Sequence, residues 1–227
     1  MLGQIVFSPR PGRLTLERAG LHGLTVLRTA VDPEGFWAGH RLYKAGKKLA
    51  RAGVRRVRVP EGFQSWGVLE GCGLRPVDPC PFLRAHAAAL SVAALKGSGR
   101  PPQGSTVALR ALQADRAVIL AAEELCRQVR EVCIAVPGGG EALGQHLRWE
   151  YGMAVRPDWS GVDGAVRFDR ETWEEGGCVV NLFLQGLGDN RVSVTAPGVK
   201  DSQTGQIFLL AALWEGGKLK KGDLEFT

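Results

Sequence analysis

The feature that most constrains this chain is a repeated change of period. Short runs rich in valine, isoleucine and leucine alternate with stretches whose apolar residues recur at three- and four-residue spacing. Strands separated by helices of ten to twenty residues cannot close as hairpins. They form βαβ units, and these build a mainly parallel sheet.

The first 30 residues read as short strands at Gln4–Phe7, Arg13–Glu17 and Leu24–Thr29, with Pro9-Arg10-Pro11-Gly12 as a turn. A helix fits Pro33 to Ala52, with Asp32 as its cap and Pro33 in first position. A strand at Arg55–Val59, a short helix at Glu61–Glu70 and a strand at Leu74–Val77 follow, and Pro79–Lys96 is helical. After Gly97-Ser-Gly-Arg-Pro-Pro-Gln-Gly104 the alternation resumes. Strands fit Thr106–Leu112, Glu131–Val136 and Met153–Arg156, and helices fit Asp115–Val129 and Gly140–Tyr151.

The two stretches echo each other. Thr25-Val26, Asp32, Val54-Arg55-Arg56-Val57, Val59-Pro60 and Asp78 match Thr106-Val107, Asp115, Val129-Arg130-Glu131-Val132, Val136-Pro137 and Asp158. The offset drifts, so either a duplication or convergence of generic units produces the echo. The fold class is therefore α/β, with two βαβαβ Rossmann-like halves and a short N-terminal β segment. Residues 1–97 form the first half, 98–104 the linker and 105–227 the second half, unless the whole is one continuous domain. Beyond Asp158 the chain is β-rich. Ala165–Phe168 is a strand, Cys178–Leu184 and Arg191–Ala196 are an antiparallel hairpin across Gly186–Asn190, and Gln206–Trp214 is a helix or a strand.

Composition narrows the class. The hydrophobic share of 44% and charged share of 23% are those of a globular chain. No apolar stretch approaches the ~18 residues of a membrane span, and the N-terminus lacks the pattern of a secretory leader. A cytoplasmic protein is expected. The five cysteines include no CxxC pair, and the four histidines are scattered. Structural thiols are expected, with neither a disulfide framework nor a metal site.

Three candidate sites emerge. The first is Val136-Pro-Gly-Gly-Gly-Glu-Ala-Leu-Gly144, which leaves a strand and opens a helix. Gly138, Gly139, Gly140 and Gly144 let backbone amides approach a pyrophosphate, and Asp158 accepts from a ribose hydroxyl, so the implied cofactor is NAD(P). Against that, Pro137 removes a donor and Glu141 repels phosphate, which fits a structural turn equally well. The second is a crevice at the carboxyl ends of the strands, where Arg28, Asp32, Arg110 and Asp115 meet if both halves share one sheet. Paired arginines there suit a small anionic ligand.

The third site follows from charge. The net charge is +6, and Lys47, Lys48 and Arg51 belong to a basic stretch between Arg41 and Arg58 that contains no acid. Such a stretch attracts nucleic acid or another polyanion. Its alternative is the solvated face of a helix that buries Leu42, Ala45, Leu49 and Ala52. No nucleophile elbow or Walker loop occurs. The preferred expectation is a small-ligand-binding or regulatory module. An NAD(P)-dependent oxidoreductase and a polyanion-binding protein are the alternatives.

Overall fold

The computed structural model describes residues 1–9, 14–60, 62–157, 160–170, 178–182, 192–199 and 206–227. The chain divides into two compact units, residues 1–79 with 196–223, and residues 80–195 with 224–227. The units meet in the chain at Pro79 and Cys80, not at the expected 98–104 linker. Pro102–Gly104 is a 3-10 turn inside the second unit, where Ser105 Oγ donates to Pro101 O at 2.8 Å. Its Gly/Pro composition serves a tight turn into the buried strand that starts at Thr106.

In the first unit, β1 (Leu2–Phe7) is followed by β2 (Glu17–Leu21), β3 (Leu24–Val31), α1 (Ala38–Arg51), β4 (Arg56–Arg58), α2 (Trp66–Glu70) and β5 (Arg75–Pro76). The sheet order is β2-β3-β1-β4-β5. β1, β3, β4 and β5 are parallel, and β2 runs antiparallel to β3 at the edge. Leu21 pairs with Leu24, so β2 and β3 join through only His22 and Gly23, both at positive φ. Two left-handed residues give the turn whose twist matches that of the strands, and glycine adopts it without a Cβ penalty.

The apolar stripe expected on α1 exists. Leu42, Ala45 and Leu49 are buried with Ile5, Leu27, Val31 and Val57 of the sheet. The helix begins later than expected, at Ala38 instead of Pro33. Asp32 Oδ1 accepts from Glu34 N at 3.0 Å, and Asp32 Oδ2 pairs with Arg41 at 3.2 Å. The aspartate thus closes a local turn and holds a helical arginine; it does not cap the helix.

In the second unit, α3 (Cys80–Ala85) and α4 (Ala87–Gly97) are separate helices that break at buried His86, where one helix was expected. Then follow β6 (Thr106–Arg110), α5 (Arg116–Leu125), β7 (Glu131–Ala135), α6 (Gly140–Tyr151), β8 (Ala154–Arg156), β9 (Gly164–Arg167), β10 (Cys178–Asn181) and β11 (Val194–Thr195). The order β10-β9-β6-β7-β8 is wholly parallel. Read from the β8 edge and numbered along the chain, these strands stand third, second, first, fourth and fifth across the sheet, a Rossmann-like order. Val107, Leu109, Val132 and Val166 are fully buried.

The chain returns to the first unit with α7 (Gln206–Glu215), which resolves the expected helix-or-strand choice as a helix. Its last residue, Glu215, pairs with Arg56. The chain finishes with β12 (Glu225–Phe226), which pairs antiparallel with β11 in the second unit. The expected antiparallel hairpin does not form among the described residues. β10 runs parallel to β9, and β11 takes β12 as its partner. Positions 183–191, including the proposed turn, lie outside the described residues.

The turn after β7 is locked to the turn after β6. Gly138 N donates to Leu112 O at 3.0 Å, and Ala114 N donates to Gly138 O at 2.7 Å. A Cβ added at Gly138 would stand 2.3 Å from Gln113 Oε1. The absence of a side chain at Gly138 is what lets Gln113 lie across it. Because Gln113 is exposed and meets that Cβ with the far end of its side chain, Gly138→Ala is expected to cost no more than about 0.5 kcal/mol, and Gln113→Ala to remove that cost. Denaturant unfolding of the two single variants and the double variant measures the coupling; additive effects would contradict the packing.

Candidate functional site

The carboxyl ends of β6 and β9 enclose a cleft of about 550 Å³, lined by Arg84, Ala111, Leu112, Gln113, Asp115, Phe168, Asp169 and Arg170. All of it belongs to the second unit. β6 has β7 on one side and β9 on the other. The connection from β6 runs through α5 towards β7, so the segments after β6 and β9 leave the sheet apart from one another. That is the position where open α/β sheets hold ligands.

Each lining side chain has a local cause. Asp115 is the N-cap of α5, as the sequence indicates. Its Oδ1 accepts from Ala117 N at 3.0 Å and Val118 N at 3.1 Å. Its other oxygen receives Arg84, which comes from the last turn of α3. Arg84 also donates to Phe168 O at 3.0 Å, and its guanidinium lies over the Phe168 ring at 5.2 Å from the centroid. One arginine thereby ties α3, the start of α5 and the end of β9 together.

Arg110 and Asp169 lie deeper. Their register places both on one face of the sheet, where Arg110 pairs with Arg167 across β6 and β9. Arg110 Nε approaches Asp169 Oδ2 at 3.7 Å, with side-chain exposures of 8% and 7%. A charge pair removed from water this far is costly to break, because removing one partner leaves a buried charge behind. Leu112 stands at the rim, 59% exposed, and Arg170 is also exposed.

The sites expected from sequence are distributed as follows. Arg110 and Asp115 flank the β6 turn, and Asp115 lines the cleft. Arg28 and Asp32 belong to β3 and its following turn in the other sheet, so the shared-sheet crevice does not arise. Arg28 Nε donates to Gln4 Oε1 at 3.1 Å instead. The glycine turn Gly138–Gly144 follows β7, the second strand of its unit, whereas a dinucleotide fingerprint follows the first. Gly140 and Gly144 face Ile134, Val136 and Val155, so these two positions admit close helix–sheet packing. Asp158 lies outside the described residues. Lys47, Lys48 and Arg51 lie on α1 in the first unit, on its solvent side apart from a Lys48 Nζ bond to Leu14 O at 2.7 Å.

The sequence reading missed Arg84, Phe168, Asp169 and Arg170. The run Phe168-Asp-Arg170 at the end of a strand is a polar step after an apolar run, which marks a strand's carboxyl end. Arg84 had no comparable signal, because its position depends on where α3 is carried.

All five cysteines are free thiols. Burial, and then Glu123, push the Cys126 thiol up to about 11, so it holds very little thiolate at neutral pH. Burial also raises Cys72, with Lys47 opposing it. Among the described residues, no group of three or more histidine, cysteine or acidic side chains is placed to hold a metal. No helix among them is long and apolar enough to cross a membrane.

No protein-family model matches the chain, and no curated protein matches it in sequence. Among solved structures it is similar to L-tryptophan dehydrogenase from Nostoc punctiforme, at 15% identity over 64% of this chain and a TM-score of 0.33. The chain spans 44% of that protein's length. It is also similar to quinate dehydrogenase from Corynebacterium glutamicum in complex with NAD, at 15% identity over 74% of this chain and 70% of that one, TM-score 0.29. Shikimate dehydrogenase from Aquifex aeolicus matches at 14% identity over 79% of this chain and 77% of that one, TM-score 0.29.

Asp115 carries two separable duties. Asp115→Ala is expected to cost about 1–2 kcal/mol by removing the cap and freeing Arg84, and Asp115→Asn markedly less, because asparagine still caps. Chemical denaturation of both variants checks this; equal losses would contradict the capping role.

Proposed function

We propose that this protein is a small-ligand-binding module whose ligand occupies the cleft at the carboxyl ends of β6 and β9. The observation that carries the reading is the reversal of strand order at β6, with an open cleft directly above it. Its volume falls within the ~300–1,000 Å³ of small-molecule sites. Ala111, Leu112 and Phe168 supply apolar walls, Arg170 supplies a cation at the mouth, and Arg84, already paired with Asp115, and Asp169 complete the lining. A small anionic ligand suits that lining, because a guanidinium binds a carboxylate or phosphate through paired hydrogen bonds.

A second reading is an NAD(P)-dependent oxidoreductase, favoured by the Rossmann-like strand order of the second unit. The residues at its phosphate position do not fit a dinucleotide. The turn after β6 reads Ala111-Leu112-Gln113-Ala114-Asp115 and contains no glycine. The first amides of α5, which would receive a pyrophosphate, are taken by the Asp115 carboxylate. At the end of β7, where a ribose-binding acid would stand, the chain reads Val136-Pro137-Gly138. The Gly138–Gly144 turn would therefore face the ribose end of a dinucleotide and not its phosphates.

A thermal-shift series with small carboxylates, phosphorylated metabolites, NAD and NADP separates the two. A small anion at 100 times its Kd is expected to add about 2.7 kcal/mol, a rise of several degrees. Leu112→Trp, at an exposed rim position, is expected to abolish that rise by filling the cleft while leaving the unliganded midpoint unchanged. A rise with NAD or NADP but no small anion would favour the oxidoreductase. A response that Leu112→Trp leaves intact would place the ligand elsewhere.

A further inference from the structure

The helix α1 carries a surface that the cleft does not use. Its outward face presents Lys44, Lys47, Lys48 and Arg51, and the helix contains no acidic residue. Arg41, one turn earlier, is engaged by Asp32 and by the carbonyl of Glu34, so the cationic file begins at Lys44. Cations alone describe an ordinary solvated face. The structure adds what the sequence reading overlooked, a set of exposed rings leading into that file.

Phe36 is 93% exposed and Trp37 62% exposed, immediately before the first turn of α1. Globular surfaces rarely leave two adjacent large aromatic rings in water. Their rings meet edge to face with centroids 5.2 Å apart, and Trp37 meets His40 at 6.0 Å. Tyr43, 42% exposed, continues the series, and Lys47 Nζ lies 5.6 Å from its ring centroid. Positions 37, 40, 44, 47 and 51 are three or four residues apart, so they share one face of the helix. The result is a row of rings that passes into a row of cations.

We infer that this face of α1 binds single-stranded nucleic acid. Such strands need two things at once, a positively charged track for the phosphates and aromatic faces on which unpaired bases stack. Both are present on one helix. A lone file of lysines would suit any polyanion. A ring pair without charge would suit an apolar partner. A duplex hides its bases from rings of this kind, which makes the single strand the better match. An anionic bilayer shares the charge requirement, but interfacial helices bury a broad apolar face in the lipid. The apolar face of α1 is committed to the core of the first unit through Leu42, Ala45 and Leu49.

Fluorescence anisotropy with a labelled oligo-dT and an oligo-rU of fifteen nucleotides tests the inference on the full chain. Binding is expected at 50 mM salt, with log affinity falling linearly as log salt rises. The double variant Phe36→Ala, Trp37→Ala is expected to weaken binding about tenfold or more without changing the salt slope. The triple variant Lys44→Glu, Lys47→Glu, Arg51→Glu is expected to lower both the affinity and the slope. All five side chains are solvent-exposed, so unchanged thermal midpoints are expected for both variants. No binding at 50 mM salt overturns the inference, as does binding that survives loss of the rings undiminished. Co-sedimentation with phosphatidylserine vesicles in the absence of any oligonucleotide binding overturns it in favour of a membrane surface.

Discussion

In the second unit one carboxylate joins three elements of the fold. Asp115 uses one oxygen to satisfy two amides that open α5 and the other to hold Arg84. Arg84 in turn grips the backbone at Phe168, so the end of β9 is fixed relative to the start of α5. Helix starts leave amides without partners and favour negative charge, which is why many α/β folds receive anionic ligands there. In this chain the anion is supplied internally. The anion seat of the helix is filled, and the cleft beside it is lined by apolar walls, by Arg84 paired with Asp115, and by Asp169 and Arg170.

The same point explains the glycine turn. Its residues serve contact between two turns and between helix and sheet. Gly138 makes room for Gln113, and the backbone of Gly138 bonds to Leu112 and Ala114. These two backbone bonds hold the turn after β6, which contributes Leu112 and Gln113 to the cleft lining. Glycine clustering in sequence marks close backbone approach in general. Approach to a phosphate is one case of it, and approach to a neighbouring turn is another.

Much of the local structure was legible in the sequence because it is governed by short-range physics. The α1 stripe, the Asp115 cap and the span Gly140–Tyr151 follow from period, capping chemistry and flanking glycines. Where local signals competed, the reading erred. Asp32 and Pro33 form a plausible helix start, yet the Asp32 side chain closes a turn with Glu34 and the helix begins at Ala38. A helix start at Pro33 would put Phe36 and Trp37 within the helix, whereas the later start leaves both rings on an exposed turn. Strand neighbours were not legible at all. Alternation shows that parallel pairing occurs, but not which strands pair. The sequence-based crevice therefore joined Arg28 to Arg110, residues that lie in different sheets. Of its residues, Asp115 lines a cleft after β6 together with Arg84 and the segment after β9, which only the tertiary fold brings to the spot.

The central claim is that a ligand binds where the strand order reverses in the second unit. Backbone amide shifts of the isotopically labelled protein, followed while a small anionic ligand is titrated, test it most directly. Saturable changes concentrated at Ala111–Asp115, Phe168–Arg170 and Arg84 are the predicted result. Changes confined to the α6 turn at Gly138–Gly144, or to the first unit, would contradict it.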